Sequence, residues 1–154
     1  MSKRSAGIVL YRRGPHGLEF LLVHPGGPYW RGKDAGAWSI PKGEYDEGED
    51  PLAAALRELE EELGLSPPQI DPSPLTPLRQ QGGKEVIAWG LAGEIEPETV
   101  RSNTFTIEWP PKSGRMQSFP EIDQAAWLGL EEARSRINAA QVPLLEELAR
   151  KLER

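Results

Sequence analysis

The residues best suited to chemistry are the carboxylates of residues 43–65, a segment with nine acidic side chains and a single basic one, Arg57. At about 100° per residue, Glu58, Glu61 and Glu62 share one face of a helix. Neighbouring carboxylates repel one another, so a sequence selected only for helix stability would alternate them with lysines. An acidic run is otherwise typical of a solvated helix face. In a chain without cysteine, the cluster instead favours a hard, oxygen-binding cation, Mg²⁺ or Mn²⁺.

These carboxylates require a helix to position them, and the sequence predicts one over residues 50–64. Asp50 suits the N-cap, Pro51 follows at the first helical position, and Gly64 ends the helix. A leucine stripe predicts the face that packs on a core, and its members are Leu52, Leu56, Leu59 and Leu63. By helical geometry the stripe lies roughly opposite the carboxylates, whereas Ala54 and Ala55 fall on the carboxylate face and leave room above it.

A longer motif encloses this helix. Gly43 is followed after five residues by Glu49, and Glu49 after seven residues by Arg57-Glu58-Leu59-Glu60-Glu61-Glu62-Leu63-Gly64-Leu65. This spacing satisfies every fixed position of the Nudix box, GX5EX7REUXEEXGU, in which U is an aliphatic residue. The chain therefore resembles a Nudix hydrolase. The motif covers residues 43–65, and the order of predicted strands is similar to that family's fold from about residue 5 to residue 137.

The resemblance implies a fold, an activity and a metal. Nudix hydrolases form an α/β/α sandwich around a central mixed β-sheet, and they cleave a diphosphate linkage in a nucleoside diphosphate joined to another group X. Carried over by position, the side chains of Glu58, Glu61 and Glu62 would be metal ligands. The backbone carbonyl of Gly43 would bind the same metal.

The same resemblance implies further roles around the metal. Glu49 and Arg57 would join the preceding loop to the helix through a salt bridge, which places Arg57 with the catalytic residues. The motif does not set the general base, and both Glu61 and Glu121 are candidates. Glu121 is otherwise interpreted as a surface carboxylate in a turn.

Several segments look like the diadenosine tetraphosphate hydrolase branch of the family, namely residues 18–23, 41–43, 84–89 and 127–133. Glu121 lies six residues before Trp127, the place of a catalytic-site glutamate in that branch. In this branch Lys42 and Lys84 would lie near the phosphates of the substrate.

Two segments, residues 25–36 and 96–120, are longer than that branch requires, and both gather aromatic and basic side chains. Aromatic faces stack on bases, and basic groups bind phosphates. Tyr29, Trp30 and Arg115 are therefore candidate substrate-binding residues. Aromatic side chains otherwise pack in a core, and these segments could equally form a homodimer interface.

The remaining pattern predicts interspersed strands and helices. The predicted strands cover residues 5–11, 18–24, 38–40, 84–95, 105–109 and 124–130, the further helices cover 130–137 and 142–154, and loops cover 25–36, 66–77 and 110–120. This order predicts an α/β (or α+β) fold with residues 1–154 as one domain. No apolar run reaches the roughly 20 residues of a membrane span, and a cytoplasmic protein is expected.

Composition excludes several classes of function. The absence of cysteine excludes disulfides, thiolate metal sites and cysteine nucleophiles. The two histidines, His16 and His24, are not spaced as a helical metal pair, and His24 is expected to be a hydrogen-bonded structural residue. The net charge is −6, and 17 basic residues face 15 acidic ones outside the motif. That weak basic excess argues against a nucleic-acid partner.

The leading prediction is therefore a Mg²⁺-dependent pyrophosphohydrolase acting on a nucleotide, with a dinucleoside polyphosphate such as diadenosine tetraphosphate as the preferred substrate. A MutT-type hydrolase of oxidised or canonical nucleoside triphosphates is the alternative enzyme. Removal of pyrophosphate from RNA 5′ ends would require a more basic surface. A non-catalytic nucleotide-sensing module would be expected to lose the motif's glutamates, all of which this sequence keeps.

Overall fold

A mixed β-sheet forms the middle layer of the protein. The computed structural model describes residues 4–63, 72–80 and 83–153. The strands are β1 (Arg4–Gly14), β2 (Gly17–Pro25), β3 (Lys42–Glu44), β4 (Ser73–Pro74), β5 (Leu78–Arg79), β6 (Glu85–Ala92), β7 (Thr104–Glu108), β8 (Met116–Pro120) and β9 (Ile122–Gly129). Within the described residues, seven of them form one sheet in the order β4-β6-β1-β2-β9, with β3 beside β1 and β5 beside β6. Strand β1 runs parallel to β6 and antiparallel to β2 and β3, so the sheet is mixed.

Helices cover both faces of this sheet. They are α1 (Pro51–Leu63), α2 (Leu130–Arg136) and α3 (Val142–Leu152). On one face α1 packs on alternate residues of β1, among them Ile8 and Leu10. On the other face α2 and α3 pack around Val9. Because successive strand residues point to opposite faces, the apolar run of β1 supplies both cores. The predicted α/β fold with a central mixed sheet is confirmed.

Helix α1 begins as its sequence predicts, but it packs by a different face. Asp50 caps it, because its Oδ2 accepts the backbone N–H of Ala53 at 3.0 Å. Ala54 and Ala55 are completely buried against the sheet, together with Leu59 and Leu63, whereas Leu52 and Leu56 are only partly buried. The expectation that the alanines leave open room on the carboxylate face is therefore wrong. Their small side chains let the backbone of α1 lie close to the sheet, and on this part of the helix Glu58 and Glu62 are partly buried while Glu61 stays exposed. The predicted end at Gly64 lies outside the described residues.

Three further predictions about elements are wrong in whole or in part. Residues 38–40 form isolated bridges rather than a strand, with Val23 opposite Ser39 and Trp38 beside Ile137. The ladder cannot continue, because the Ile40 N–H donates to a side chain and Pro41 has no N–H. The predicted loop over 110–120 contains strand β8, which pairs with β7 in a separate two-stranded sheet. Of the predicted loop over 66–77, residues 66–71 lie outside the described residues, and Ser73–Pro74 forms β4.

Short strands β3 and β5 escaped the sequence prediction because they are only three and two residues long. Such runs carry no measurable periodicity of their own, and their pairing with β1 and β6 defines them. None of the helices in the described residues is both long and apolar enough to cross a membrane.

Candidate active site

The carboxylate of Glu58 lies directly against the backbone of β3. A Cβ built on Gly43 would stand 2.1 Å from Cδ of Glu58, so only glycine leaves space for this carboxylate. Burial raises the pKa of Glu58, and the neighbouring charge of Glu61 adds to the effect while Arg57 opposes it. Local sequence thus places Gly43 and Glu58 on two elements, and the packing of α1 on β3 brings them into contact.

Glu62, one helical turn further along α1, is the most perturbed group of the site. Burial raises its pKa to about 8, the charge of Glu58 adds to the rise, and Lys42 opposes it. Its Oε2 is buried without a hydrogen-bond partner within the described part of the chain. A buried oxygen without a partner is costly unless a ligand or cation completes it. Glu62 Oε2 is therefore a candidate ligand for a cation.

Arg57 joins the loop before α1 to the helix. Its Nη1 donates to Oε2 of Glu49 at 2.6 Å, and its Nη2 donates to Oε1 of Glu58 at 3.3 Å. Its Nε lies 3.9 Å from Oε1 of Glu61, one turn along the helix. The salt bridge that the resemblance implied between Glu49 and Arg57 is thus present. Arg57 orients Glu58 through the same guanidinium that ties down the loop.

Glu121 lies far along the chain from the motif, between β8 and β9, and reaches the same site. Its backbone is held twice, since its N–H donates to the Asn103 carbonyl at 2.9 Å and its carbonyl accepts the Gly26 N–H at 2.9 Å. Its negative charge contributes to the raised pKa of both Glu58 and Glu62. Glu121 also lines the same pocket as Glu62. Glu61, the other candidate base, is an exposed side chain beside Arg57 and does not line this pocket.

The pocket at these carboxylates has a volume of about 270 Å³. Apolar side chains including Trp30 and Trp38 line it, and Lys42 contributes an ammonium group. Burial lowers the pKa of Lys42, and the charge of Lys84 lowers it further while Glu62 acts in the opposite direction. The structure thus brings Lys42 near Glu62 and Lys84 near Lys42, whereas Lys84 is not among the described residues that line the pocket.

Of the remaining predicted substrate-binding residues, one lines this pocket and two do not. Trp30 lines it, with 43% of the residue exposed. Tyr29 and Arg115 are not among the described residues that line it. Tyr29 makes an edge-on contact with Trp109 of the β7–β8 hairpin, with ring centroids 5.2 Å apart, and Arg115 lies at that hairpin's turn. A substrate contact and a homodimer interface both stay predictions for these two residues.

Sequence reasoning missed the polar side of the pocket. Gln80, Asn138 and Gln141 line it, and Gln141 is only 1% exposed. A buried glutamine near the start of an amphipathic helix is a weak signal that can be noticed only with the helix register in hand. His24 is buried and structural, as expected, with Nδ1 at 2.8 Å from Asp123 Oδ1 and Nε2 at 2.6 Å from the Lys33 carbonyl.

The donor set at Glu58 and Glu62 fits a hard divalent cation. Both side chains offer carboxylate oxygens, of which Glu62 Oε2 is buried without a partner in the described residues, and the Glu58 carboxylate lies against the backbone of Gly43. Among the described residues, no three His, Asp or Glu side chains already stand in the arrangement of a complete metal site. Burial is the main cause of the raised pKa of both Glu58 and Glu62, and a neighbouring carboxylate adds to each, so a bound cation would favour the ionised forms.

Comparison with known proteins identifies the family. The family model of the NUDIX domain matches residues 1–148. The chain belongs to this family. The match extends well beyond the motif at residues 43–65 and includes all nine strands of the described residues.

Relatives of this NUDIX protein include a tetraphosphatase and an RNA pyrophosphohydrolase. The asymmetrical bis(5′-nucleosyl)-tetraphosphatase of Caenorhabditis elegans is 37% identical over 70 residues, which cover 46% of this chain and 46% of the relative. An RNA pyrophosphohydrolase of Caulobacter vibrioides is 31% identical over 136 residues, which cover 73% of this chain and 78% of the relative. The crystal structure of a C. elegans Ap4A hydrolase binary complex matches with a TM-score of 0.67 and 25% identity, over 97% of this chain and 98% of that one.

The NUDIX chain spans less than half of the first curated relatives that it matches. It covers 46% of the C. elegans tetraphosphatase and 33% of an octanoyltransferase of Myxococcus xanthus. Similarity to the Ap4A hydrolases, which the motif and its flanking segments predicted, is thus found in both sequence and structure.

Proposed function

We propose that this NUDIX protein is a pyrophosphohydrolase that depends on Mg²⁺ or Mn²⁺ and cleaves a diphosphate linkage in a nucleoside diphosphate joined to another group. A dinucleoside polyphosphate such as diadenosine tetraphosphate is the proposed substrate. The observation that carries the proposal is Glu62, whose buried oxygen has no partner within the described residues and whose pKa is raised to about 8. A buried carboxylate without a partner destabilises the fold, and such strongly perturbed groups are typical of functional sites, where a bound ligand supplies the missing partner.

Glu58 and Glu62 are the proposed side-chain ligands of the cation, with Glu61 and the Gly43 carbonyl beside them. A bound divalent cation supplies neutralisation of phosphate charge and a more acidic attacking water. Glu62 must lose its proton to act as a ligand, so binding is expected to release a proton below about pH 8. Arg57 keeps Glu58 aimed at the site through its bridge to Glu49.

Glu121 is the proposed general base. Its carboxylate lines the pocket with Glu62, and its backbone is held from both neighbouring segments. It can therefore accept a proton from a water in the pocket without taking part in the salt bridge at Arg57. Lys42 and Lys84 are the proposed phosphate-binding cations, since the charge of Lys84 lowers the pKa of Lys42 and a bound phosphate would offset that repulsion.

The similarity to Ap4A hydrolases supports the dinucleoside polyphosphate, because the solved structure aligns over nearly the whole of both chains. The RNA pyrophosphohydrolase of C. vibrioides favours a second candidate, the 5′ end of RNA, since that relative aligns over 78% of its own length. A triphosphate-terminated RNA shares the phosphate chain that the site would cleave. Its further nucleotides would need a basic path that the weak positive charge outside the motif does not offer.

The test is a product analysis with Mg²⁺. The panel contains diadenosine tetra- and hexaphosphate, canonical and oxidised deoxynucleoside triphosphates, ADP-ribose, NADH and a 5′-triphosphorylated RNA oligonucleotide. We expect diadenosine tetraphosphate to yield AMP and ATP, separated by anion exchange. Glu62→Gln is expected to abolish turnover while Glu60→Gln, on the exposed side of α1, retains it.

Preferred turnover of a triphosphate would instead indicate the MutT-type alternative, and preferred release of pyrophosphate from RNA the second candidate. Binding of a nucleotide without turnover of any panel member would contradict the proposed activity and favour the sensing module. Full activity of Glu62→Gln would contradict the assignment of the metal ligand.

A further inference from the structure

Gln141 is a buried polar side chain whose amide orientation is set by the backbone. Its Oε1 accepts the N–H of Ile40 at 3.0 Å, and a backbone N–H can only donate. Its Nε2 therefore faces the other way, where it donates to Ser39 Oγ at 3.1 Å and to Gln80 Oε1 at 3.1 Å. The Ser39 hydroxyl is free to accept, because it donates its own hydrogen to the Ile40 carbonyl.

This network also determines which end of Gln80 faces the pocket. Because Gln80 Oε1 accepts from Gln141, the NH₂ group of Gln80 is the end that remains. The only hydrogen bond of the Gln80 side chain among the described residues is the one that its oxygen accepts, and Gln80 lines the candidate pocket. The turn that carries Gln80 also carries Lys84, since the Gln80 N–H donates to the Lys84 carbonyl at 2.7 Å.

The orientation of the Asn138 amide is set by a separate hydrogen bond, which also leaves an NH₂ group available. Its Oδ1 accepts the Ala140 N–H at 3.0 Å and caps the short 3₁₀ turn at Ala139–Gln141. Its NH₂ group is therefore the free end of the amide, without a partner among the described residues. Asn138 lines the same pocket as Gln80. The pocket thus carries two neutral amides whose oxygens are both occupied and whose donors are both available.

The rest of the pocket suits a single aromatic base. Trp30, of which 43% is exposed, contributes an indole ring that can stack on the face of a base, whereas Trp38 is buried and closes the wall of the pocket. Its volume of about 270 Å³ is below the range of roughly 300 to 1,000 Å³ of a site that encloses a drug-sized ligand. It is sized for one nucleoside moiety, with the phosphate chain directed to Lys42 and the carboxylates.

We infer that Gln80 and Asn138 are specificity-determining residues that select a guanine base over an adenine base, a conclusion that rests on the proposed nucleotide hydrolase. Guanine offers two adjacent acceptors, N7 and O6, to two amide donors, whereas adenine places its N6 amino donor where O6 would be. An amide NH₂ facing the adenine amino group leaves both donors unpaired, which costs affinity. The preferred dinucleoside polyphosphate therefore carries at least one guanosine.

The experiment compares guanine and adenine forms of otherwise identical ligands. The ratio of kcat/KM for diguanosine and diadenosine tetraphosphate is measured with Mg²⁺, and the binding of GMP and AMP is measured by calorimetry. We expect the wild-type chain to favour guanine by about tenfold in both measurements.

Two isosteric variants test the amides. Asn138→Asp keeps the oxygen that caps the 3₁₀ turn, and Gln80→Glu keeps the oxygen that accepts from Gln141, while each replaces a donor by an acceptor. Both are expected to lower the guanine-to-adenine ratio to about one or below it. Gln124→Glu makes the same charge change at an exposed position of β9 outside the pocket, and should leave the ratio unchanged. A purely structural role would lower both activities together and leave the ratio intact.

The outcomes separate this inference from the proposed function. Guanine-selective binding by a chain that hydrolyses nothing would support the inference and contradict the proposed function. Hydrolysis of diadenosine and diguanosine tetraphosphate with equal kcat/KM would overturn the inference and leave the proposed function standing. Failure of both GMP and AMP to bind, or an unchanged ratio in both isosteric variants, would also overturn it.

Discussion

Gly43 and Glu58 are separated by 15 residues in sequence, yet a Cβ on the glycine would lie 2.1 Å from the carboxylate carbon of the glutamate. The contact joins β3 to α1 at the site where the candidate metal ligands meet. A side chain at position 43 must displace the Glu58 carboxylate, which is the mobile end of a flexible side chain. Disruption of the site is therefore expected before disruption of the fold.

Gly43→Ala is expected to lower kcat/KM on the order of 100-fold, because a ligand displaced by an ångström or more loses its geometry. The melting temperature should change little. Gly48→Ala is the matched control, since a Cβ there meets no atom within 4 Å. Steady-state kinetics and thermal unfolding on the three proteins test this, and an active Gly43→Ala protein would show that Glu58 is not needed where it lies.

The raised pKa of Glu62 predicts how stability depends on pH. In the unfolded chain this carboxyl ionises near 4.5, whereas in the folded chain it keeps its proton up to about pH 8. Between these values the folded state binds more protons, so stability falls as pH rises. Glu62→Gln cannot ionise, and it should therefore be more stable than the wild type by on the order of 2 kcal/mol above pH 8. The difference should vanish toward pH 4.5.

Urea unfolding in the presence of a chelator, at several pH values, measures this difference. Glu60→Gln removes an exposed carboxylate from the same helix and should show no such pH dependence. A difference between Glu62→Gln and the wild type that stays constant from pH 5 to pH 8.5 would contradict the burial of Glu62.

Addition of Mg²⁺ should reverse this order of stability at pH 8. A cation that binds only the folded chain stabilises it by about 2.7 kcal/mol at 100 times its dissociation constant. The wild type should gain that stability, while Glu62→Gln, which lacks one charged ligand, should gain much less. Thermal unfolding with and without saturating Mg²⁺ tests this expectation, and equal gains in both proteins would place the cation elsewhere.

The Glu49–Arg57 bridge should matter for activity more than for stability. Arg57 is 45% exposed at its side chain, and such pairs contribute about 0 to 1 kcal/mol to folding. Its contact with Glu58 links it to the candidate metal ligands. Arg57→Gln is expected to lower kcat at least roughly tenfold with little change in unfolding free energy.

A double-mutant cycle with Glu49→Gln tests whether these two residues act as a unit. If they do, the double variant should lose no more activity than Arg57→Gln alone. Losses that simply add would show that Glu49 does not act through Arg57.

Glu121→Gln should lower kcat roughly 100-fold or more and change KM little, since a positioned general base contributes about 10² to 10⁴ to the rate. Glu131→Gln, an exposed carboxylate of α2 outside the pocket, is the control. If Glu61→Gln shows the larger loss of kcat, Glu61 is the base.

Several features of the protein follow from residues that are near one another in sequence. The cap of α1 depends only on Asp50, Pro51 and the amide of Ala53. The strands β1 and β2 are joined by a short turn and read directly as apolar runs. The spacing of the motif identifies the family, because its positions are counted along the chain. Each of these features is decided by local geometry, which a sequence contains explicitly.

Tertiary structure decided three other features: which face of α1 is buried, whether β8 forms, and where Glu121 lies. Ala54 and Ala55 are buried because the sheet lies close enough to exclude longer side chains, a distance that no helical periodicity contains. Strand β8 forms because β7 offers it a partner. Glu121 lines the pocket together with Glu62 because backbone hydrogen bonds to Asn103 and Gly26 hold it there. The donor-lined pocket depends on Gln141, which is 101 positions from the amide of Ile40 that orients it. Contacts of this kind join residues that are distant in sequence and that only folding brings together. The residue types and spacings that supply the chemistry, in contrast, can be identified from the sequence alone.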